Sequence, residues 1–288
     1  MFITLKDGQR LFVDVVGSKL ALEGARMREK PTLIVMHGGP GFDHSGFRPD
    51  FDAFADVAQV VYIDHRGNGR SVPSDPKTWT LAQWGDDVLN LCEVLGIEKP
   101  IVLGQSFGGM VAQSYATRHP AHPGALILSS TAARMDLAKS LDLFEQKGGA
   151  EARAVAERFW NSGTDEEFDT YMQVCMPFYN TKPRPGGAEA QARAVMRREV
   201  YRHFSLPGCE IHRMDFRAAL RRVACPTLVL AGAQDPITPP HLAEEIVQAV
   251  DDKLATLRIY DRCGHGAFRD EPALVLGDIR AFIAGLRA

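Results

Sequence analysis

The stretch KPIVLGQSFGG, residues 99–109, decides how this chain is read. A short apolar run, Pro100–Leu103, leads into Gly104, a lone Ser106 and the pair Gly108-Gly109. A helix-like run, Phe107–His119, follows and stops before Pro120. Gly104-Gln105-Ser106-Phe107-Gly108 therefore fits G-x-S-x-G between a predicted strand and a predicted helix. A strand-to-helix turn of this kind lifts the serine oxygen clear of a sheet, in a strained backbone. Glycines two residues to either side let strand and helix approach without Cβ clashes. The helix also points its N-terminus at the serine, which favours negative charge developing there. A five-residue match is common by chance, and an ordinary turn serine is the plain alternative. The strand–turn–helix setting is what weighs against it.

Outward from this junction, similar apolar runs recur. PTLIVMHGG, AQVVYIDHRG, GALILSS, CPTLVLAG and ATLRIYDR are continuous rather than alternating. Such runs suggest strands buried on both faces of a parallel sheet. Ahead of them, Phe2–Leu5 and Leu11–Val16 around Asp7-Gly8 read as a hairpin. Helices are expected over Trp79–Leu95, with Thr78 or Thr80 as cap, and over Leu242–Val250 and Ala273–Leu286. Strands alternating with helices indicate an α/β fold with a mostly parallel central sheet flanked by helices. The alternation breaks between Thr131 and Val223, which is rich in Ala, Glu and Arg. That stretch reads as a helical lid, interrupted by TKPRPGG at 181–187. The expected organisation is a core of residues 1–130 and 224–288 with residues 131–223 inserted as the lid.

A nucleophilic serine needs a base, and the base needs a group that orients it. LAGAQDPITPP places Asp235 just past one buried strand, and YDRCGHGAF places His265 just past the next. Both would stand at the carboxyl end of the sheet, where open α/β folds bind ligands. His265 is expected to take the proton of Ser106, and Asp235 to fix the imidazole. An isolated loop His is usually polar surface and an Asp before Pro a turn former. Their order and shared placement after strands support the sharper reading. HGGPGFDHSGF follows the third strand, and the amides of Gly39 and Phe107 are expected to form an oxyanion hole. His37 is expected to brace that loop.

With these pieces the chain resembles the α/β-hydrolase fold superfamily from about Phe2 to Leu286. Within it, HGGPG at 37–41 and DHRGNGRS at 64–71 are similar to the proline iminopeptidase group of serine peptidases. The resemblance implies a serine hydrolase working through an acyl-enzyme and, at its most specific, removal of an N-terminal proline from small peptides. It also implies lid carboxylates that hold the substrate's amine; Glu145, Glu199, Glu210 and Asp215 are available. Arg66 and Arg70 of the second loop are expected to pin loops. The chain departs from the group in having Phe107 where a Trp commonly follows the serine. GQSFGG is widespread among esterases of the superfamily, and HGGPG also occurs in relatives that cut esters, acyl amides and lactones. A carboxylesterase, acylase or lactonase is therefore the alternative, followed by a perhydrolase or a non-turnover ligand receptor. Trp160, Phe178, Tyr179, Tyr201, Phe204 and Phe268 are expected to line an apolar substrate pocket; the lid's own core is their bland fate.

Other classes find little support. G-x-x-x-x-G-K-[ST] and G-x-G-x-x-G are missing, which argues against a nucleotide site. His119 and His122 are separated by a proline, H-E-x-x-H is missing, and no metal or organic cofactor is expected. Ser106 in place of an aspartate argues against dehalogenase or epoxide hydrolase chemistry. Cys263 is expected to be a small buried thiol. A formal net charge of −3 gives no reason to expect nucleic acid or an anionic membrane as partner. The N-terminus reads as no signal peptide, and no run reaches the roughly 18 apolar residues of a membrane span. The five widely spaced cysteines read as reduced thiols of a cytoplasmic protein. The expected partner is a small ester, amide or short peptide; oligomeric state is not readable.

Overall fold

A computed structural model describes residues 1–183 and 186–286. Residues 184 and 185, inside the expected interruption of the lid, lie outside the described residues. The chain opens with a hairpin of β1 (Phe2–Thr4) and β2 (Arg10–Val16), paired antiparallel with Phe2 opposite Phe12. A second hairpin, β3 (Leu20–Glu23) and β4 (Arg26–Glu29), stands apart from the main sheet and was not legible in the sequence. Its strands are mostly exposed, so they carry no apolar run.

The remaining elements alternate. They are β5 (Thr32–Met36), β6 (Gln59–Ile63), α1 (Leu81–Leu95), β7 (Ile101–Gln105), α2 (Phe107–Arg118) and β8 (Ala125–Ser129). Five helices follow: α3 (Leu137–Ser162), α4 (Asp165–Val174), α5 (Gly187–Arg193), α6 (Arg198–Ser205) and α7 (Glu210–Arg213). The order closes with β9 (Thr227–Gly232), α8 (Pro240–Ala249), β10 (Ala255–Tyr260) and α9 (Pro272–Gly285). Helix α1 starts two residues later than expected. The Thr80 hydroxyl accepts the Gln83 amide at 3.0 Å, and Glu210 of α7 accepts the Leu81 amide at 3.0 Å. Gly96, at φ 67°, ends it in the left-handed conformation that glycine tolerates.

The eight-stranded sheet runs β1-β2-β6-β5-β7-β8-β9-β10. From β6 to β10 every pairing is parallel; β1–β2 and β2–β6 are antiparallel. Successive strand residues feed opposite faces. Ile34, Met36, Val102, Leu126 and Val229 meet α1, α2 and α8, while Leu33, Val35, Leu103, Ile127 and Leu230 meet Phe47, Phe51, Phe54 and α9. Strands β5 to β9 are almost wholly buried, as continuous apolar runs require. ATLRIY departs from that expectation: β10 is an edge strand, with Thr256, Arg258 and Ile259 exposed and only Tyr260 buried.

Between β8 and β9 the described residues are helical or irregular. Phe144, Phe159, Phe168 and Tyr171 form a core of their own there, whereas Val200, Phe204, Ile211 and Met214 pack into the cluster of α1 and α2. Helix α3 is bent at Gly149, whose φ of 72° and ψ of −171° are non-helical. Among the described residues no helix is long and apolar enough to cross a membrane.

Candidate active site

The strand order reverses at β5, which sends β6 to one side and β7 to the other. A crevice opens outside the carboxyl ends of strands at such a reversal. Ser106 sits there, at the end of β7, with φ 56° and ψ −121°. This left-handed, strained backbone is rare for a non-glycine residue. It is held by the Ser106 N–H donating to Ser129 at 2.9 Å and by the Thr131 hydroxyl donating to the Ser106 carbonyl at 2.7 Å. The flanking glycines are required by distance. A Cβ on Gly104 would lie 2.3 Å from the Gly108 carbonyl oxygen, and one on Gly108 would lie 2.4 Å from that of Met36.

His265 follows β10, and its Nε2 is 2.9 Å from Ser106 Oγ. Its Nδ1 is 2.8 Å from Asp235 Oδ2, past the end of β9. Asp235 accepts further hydrogen bonds from the Ile237 amide (2.8 Å), the Thr238 amide (2.9 Å) and the Thr238 hydroxyl (2.8 Å). With Asp235 as acceptor, Nδ1 carries the imidazole proton and Nε2 is left to accept from the serine. Burial pushes the Asp235 carboxyl up, but the His265 charge and hydrogen bond, with those two amides, hold it below the usual carboxylate range. The structure thus brings Ser106, His265 and Asp235 into one hydrogen-bonded line, 159 and 30 residues apart in sequence.

Gly38, just past β5, closes in on the serine. A Cβ on Gly38 would lie 3.0 Å from that of Ser106. Phe107 opens α2, so its N–H has no partner within the helix. Gly39 lines the cavity with φ 125°, a conformation that favours glycine. The loop is braced from behind. His37 Nδ1 is 2.7 Å from the Gly38 carbonyl, and its Nε2 accepts the His65 amide at 3.1 Å. Burial lowers the pKa of both histidines, which keeps them neutral. Asn68 accepts the Gly41 amide at 2.8 Å, and Asp64 accepts the amides of His44 (3.0 Å) and Arg70 (2.8 Å). Arg66 grips Asp87 through two hydrogen bonds and Asp7 through a third; Arg70 pairs with Asp43 and donates to the Arg193 carbonyl.

A cavity of about 350 Å³ opens over Ser106 and His265. Of the six aromatic side chains expected on its wall, Trp160, Tyr179 and Tyr201 line it. Three do not, which corrects the expectation. Phe204 is turned behind Phe107 and against Trp84, at ring distances of 4.9 and 4.8 Å. Phe268 packs on Phe47 (5.6 Å) and Phe51 (4.9 Å) beneath the sheet's other face. Phe178 faces Gly148 of α3, whose missing side chain makes room for it. The wall instead includes Phe42, Met135, Phe159, Phe168, Met172 and Met176, which have no local motif. Thr238 and Asp270 also belong to this hydrogen-bonded site, beyond the sequence expectation. Asp270 accepts the Gly264 amide (2.7 Å) and the amides of Thr181 (2.9 Å) and Lys182 (3.2 Å), so it ties the His265 turn to the helical insertion. An acid five residues past the histidine was the available signal. Burial pushes the Cys263 thiol up to about 11, consistent with an inert side chain. Among the described residues no three His, Cys, Asp or Glu side chains are grouped to hold a metal ion.

Comparison with known proteins adds to this geometry. A family model described as alpha/beta hydrolase fold matches residues 31–272. A proline iminopeptidase of Lactobacillus helveticus is 31% identical over 261 residues, 83% of this chain and 85% of that protein. The crystal structure of a Mycobacterium smegmatis proline iminopeptidase superposes with a TM-score of 0.78 at 24% identity, covering 99% of this chain and 98% of the other. An esterase from Exiguobacterium antarcticum superposes with a TM-score of 0.71 at 17% identity, covering 99% of each chain.

Proposed function

The chain belongs to the α/β-hydrolase fold family and, within it, to the proline iminopeptidase-like group; from that premise we propose that it is a serine hydrolase that cleaves small esters or amides through an acyl-enzyme. The observation that carries this reading is the unbroken hydrogen-bonded line from Ser106 Oγ through His265 to the buried Asp235, at the floor of a cavity.

In the proposed reaction Ser106 Oγ attacks the substrate carbonyl while its proton passes to His265 Nε2. Asp235 keeps Nδ1–H in place and stabilises the imidazolium. The carbonyl oxygen, now negative, is held by the amides of Phe107 and Gly39, donors already ordered before the reaction. Collapse of the tetrahedral intermediate breaks the bond to the alcohol or amine, which leaves with the proton from His265. Water then enters, gives its proton to His265 and attacks the acyl-enzyme carbonyl; the acid leaves and Ser106 regains its proton. Trp160, Tyr179 and Tyr201 are proposed to contact the acyl group. The helices between β8 and β9 in the chain are proposed to set which acyl groups fit.

A steady-state assay on p-nitrophenyl butyrate tests the reading. Wild type should turn over many times per chain, and Ser106→Ala should lose on the order of 10⁶-fold in kcat. Equal rates for the two proteins would refute it.

A further inference from the structure

We propose, resting on the hydrolase reading above, that this site takes esters or amides whose acyl part is uncharged and apolar, and that it discriminates against substrates carrying a free, protonated N-terminal proline. An ammonium group drawn into a mainly apolar cavity must exchange much of its water for a partner, best a carboxylate. The cavity wall has one carboxylate among the described residues, Asp43. Its oxygens are taken. Oδ1 accepts the Ser45 amide (3.0 Å) and hydroxyl (2.5 Å), and Oδ2 accepts the Val195 amide (2.8 Å) and the Arg70 guanidinium, which also cancels its charge.

The acids of the helical insertion serve elsewhere. Glu145 pairs with Arg153 at 3.2 Å and Asp215 with Arg217 at 2.6 Å, both at the surface. Glu199 is exposed, and Glu210 caps α1. None of the four lines the cavity. Glu167 comes nearest to an exception. Its Oε2 is buried without a hydrogen-bond partner among the described residues, yet it stays off the cavity wall beside the lining residue Phe168. A cation is on the wall instead: Arg269 stands 4.5 Å over the Phe268 ring, against the turn that carries His265. The remaining wall joins the apolar side chains of Phe42, Met135, Phe159, Met172 and Met176 to uncharged polar groups such as Gln105, Tyr179 and Asn180, and offers an amine no second carboxylate among the described residues. Methionines suit a flexible acyl chain, because they adapt to irregular apolar shapes.

The test is a matched pair of benzyl esters, of proline and of cyclopentanecarboxylic acid, at pH 6.5. The two share ring size and leaving group and differ in the charged amine. Acid release is measured by chromatography, and Ser106 labelling by a fluorophosphonate is measured on the same preparation. The carbocyclic ester should be favoured in kcat/KM by at least about 100-fold. A prolyl ester cleaved as well or better would overturn the proposal, and loss of that activity in Glu167→Gln would make Glu167 the amine anchor. If Ser106 labels but neither ester is cleaved, the proposal also falls. If Ser106 does not label, the hydrolase reading itself is what failed.

Discussion

The backbone N–H of His265 donates to the carbonyl of Tyr179 at 2.5 Å, so a residue of the helical insertion holds the histidine that faces Ser106. The Tyr179 ring stands edge-on to the imidazole at 5.2 Å. Asn180 donates to the His265 carbonyl at 3.2 Å, and Asp270 gathers the amides of Gly264, Thr181 and Lys182. The helices between β8 and β9 and the histidine turn are therefore one hydrogen-bonded unit, and a group remote from the serine can set the position of the imidazole beside it.

Asp270 is the positioning residue this arrangement exposes. Asp270→Asn trades one acceptor oxygen for a donor that faces donors, which leaves buried N–H groups unpaired. We expect kcat to fall about 10- to 100-fold with KM little changed. Fluorophosphonate labelling of Ser106 should slow in proportion, measured at a temperature where the variant is folded by circular dichroism. A lowered Tm with unaltered kcat and labelling would make Asp270 a purely structural acid.

Asp235 carries the pH signature. Its carboxyl lies below its usual range in the folded protein. The stabilisation it supplies is therefore full above the unfolded carboxylate value of about 3.9 and is lost as pH falls through the lower folded value. Asp235→Asn should fold at pH 7, lose about 10³- to 10⁴-fold in kcat, and show a shallower fall in stability below pH 4 than wild type. Urea denaturation at pH 7, 4 and 3 reads the second effect. Parallel pH curves for both proteins, or near-native turnover in the variant, would contradict it.

Two glycines give a packing test with opposite signs. A Cβ on Gly108 would lie 2.4 Å from the Met36 carbonyl oxygen and 2.5 Å from that of His37. Gly108→Ala must push α2 away from β5 and should cost on the order of 3 kcal/mol. Gly277, inside α9, has open space around its Cβ position. Gly277→Ala should stabilise by about 0.5–1 kcal/mol through helix propensity alone. Thermal denaturation of both separates them.

Much of the core was legible because its signals are local. A buried parallel strand announces itself as an apolar run; Ser106 follows β7 directly, Asp235 lies three residues past β9, and His265 lies five past β10. The edge position of β10 was not legible, since LRIY is apolar enough for either place. The β3–β4 hairpin escaped because it carries neither a buried run nor a strong turn dipeptide. The wall of the cavity was the hardest part. Phe204 and Tyr201 lie one turn apart on α6, yet one packs behind Phe107 and the other faces the cavity. Only the tertiary docking of that helix separates them. Asp270 was hidden for the same reason, because two of its partners, Thr181 and Lys182, lie some 90 residues away in the chain.

The covalent intermediate itself is the most direct thing to observe. Wild type would be mixed with p-nitrophenyl butyrate, quenched in acid within milliseconds, and weighed intact and after digestion. One butyryl group per chain, on the peptide containing Ser106 and missing in Ser106→Ala, is the expected result. An acyl group on another residue, or product formed by the Ser106→Ala protein at the wild-type rate, would contradict the acyl-enzyme at Ser106.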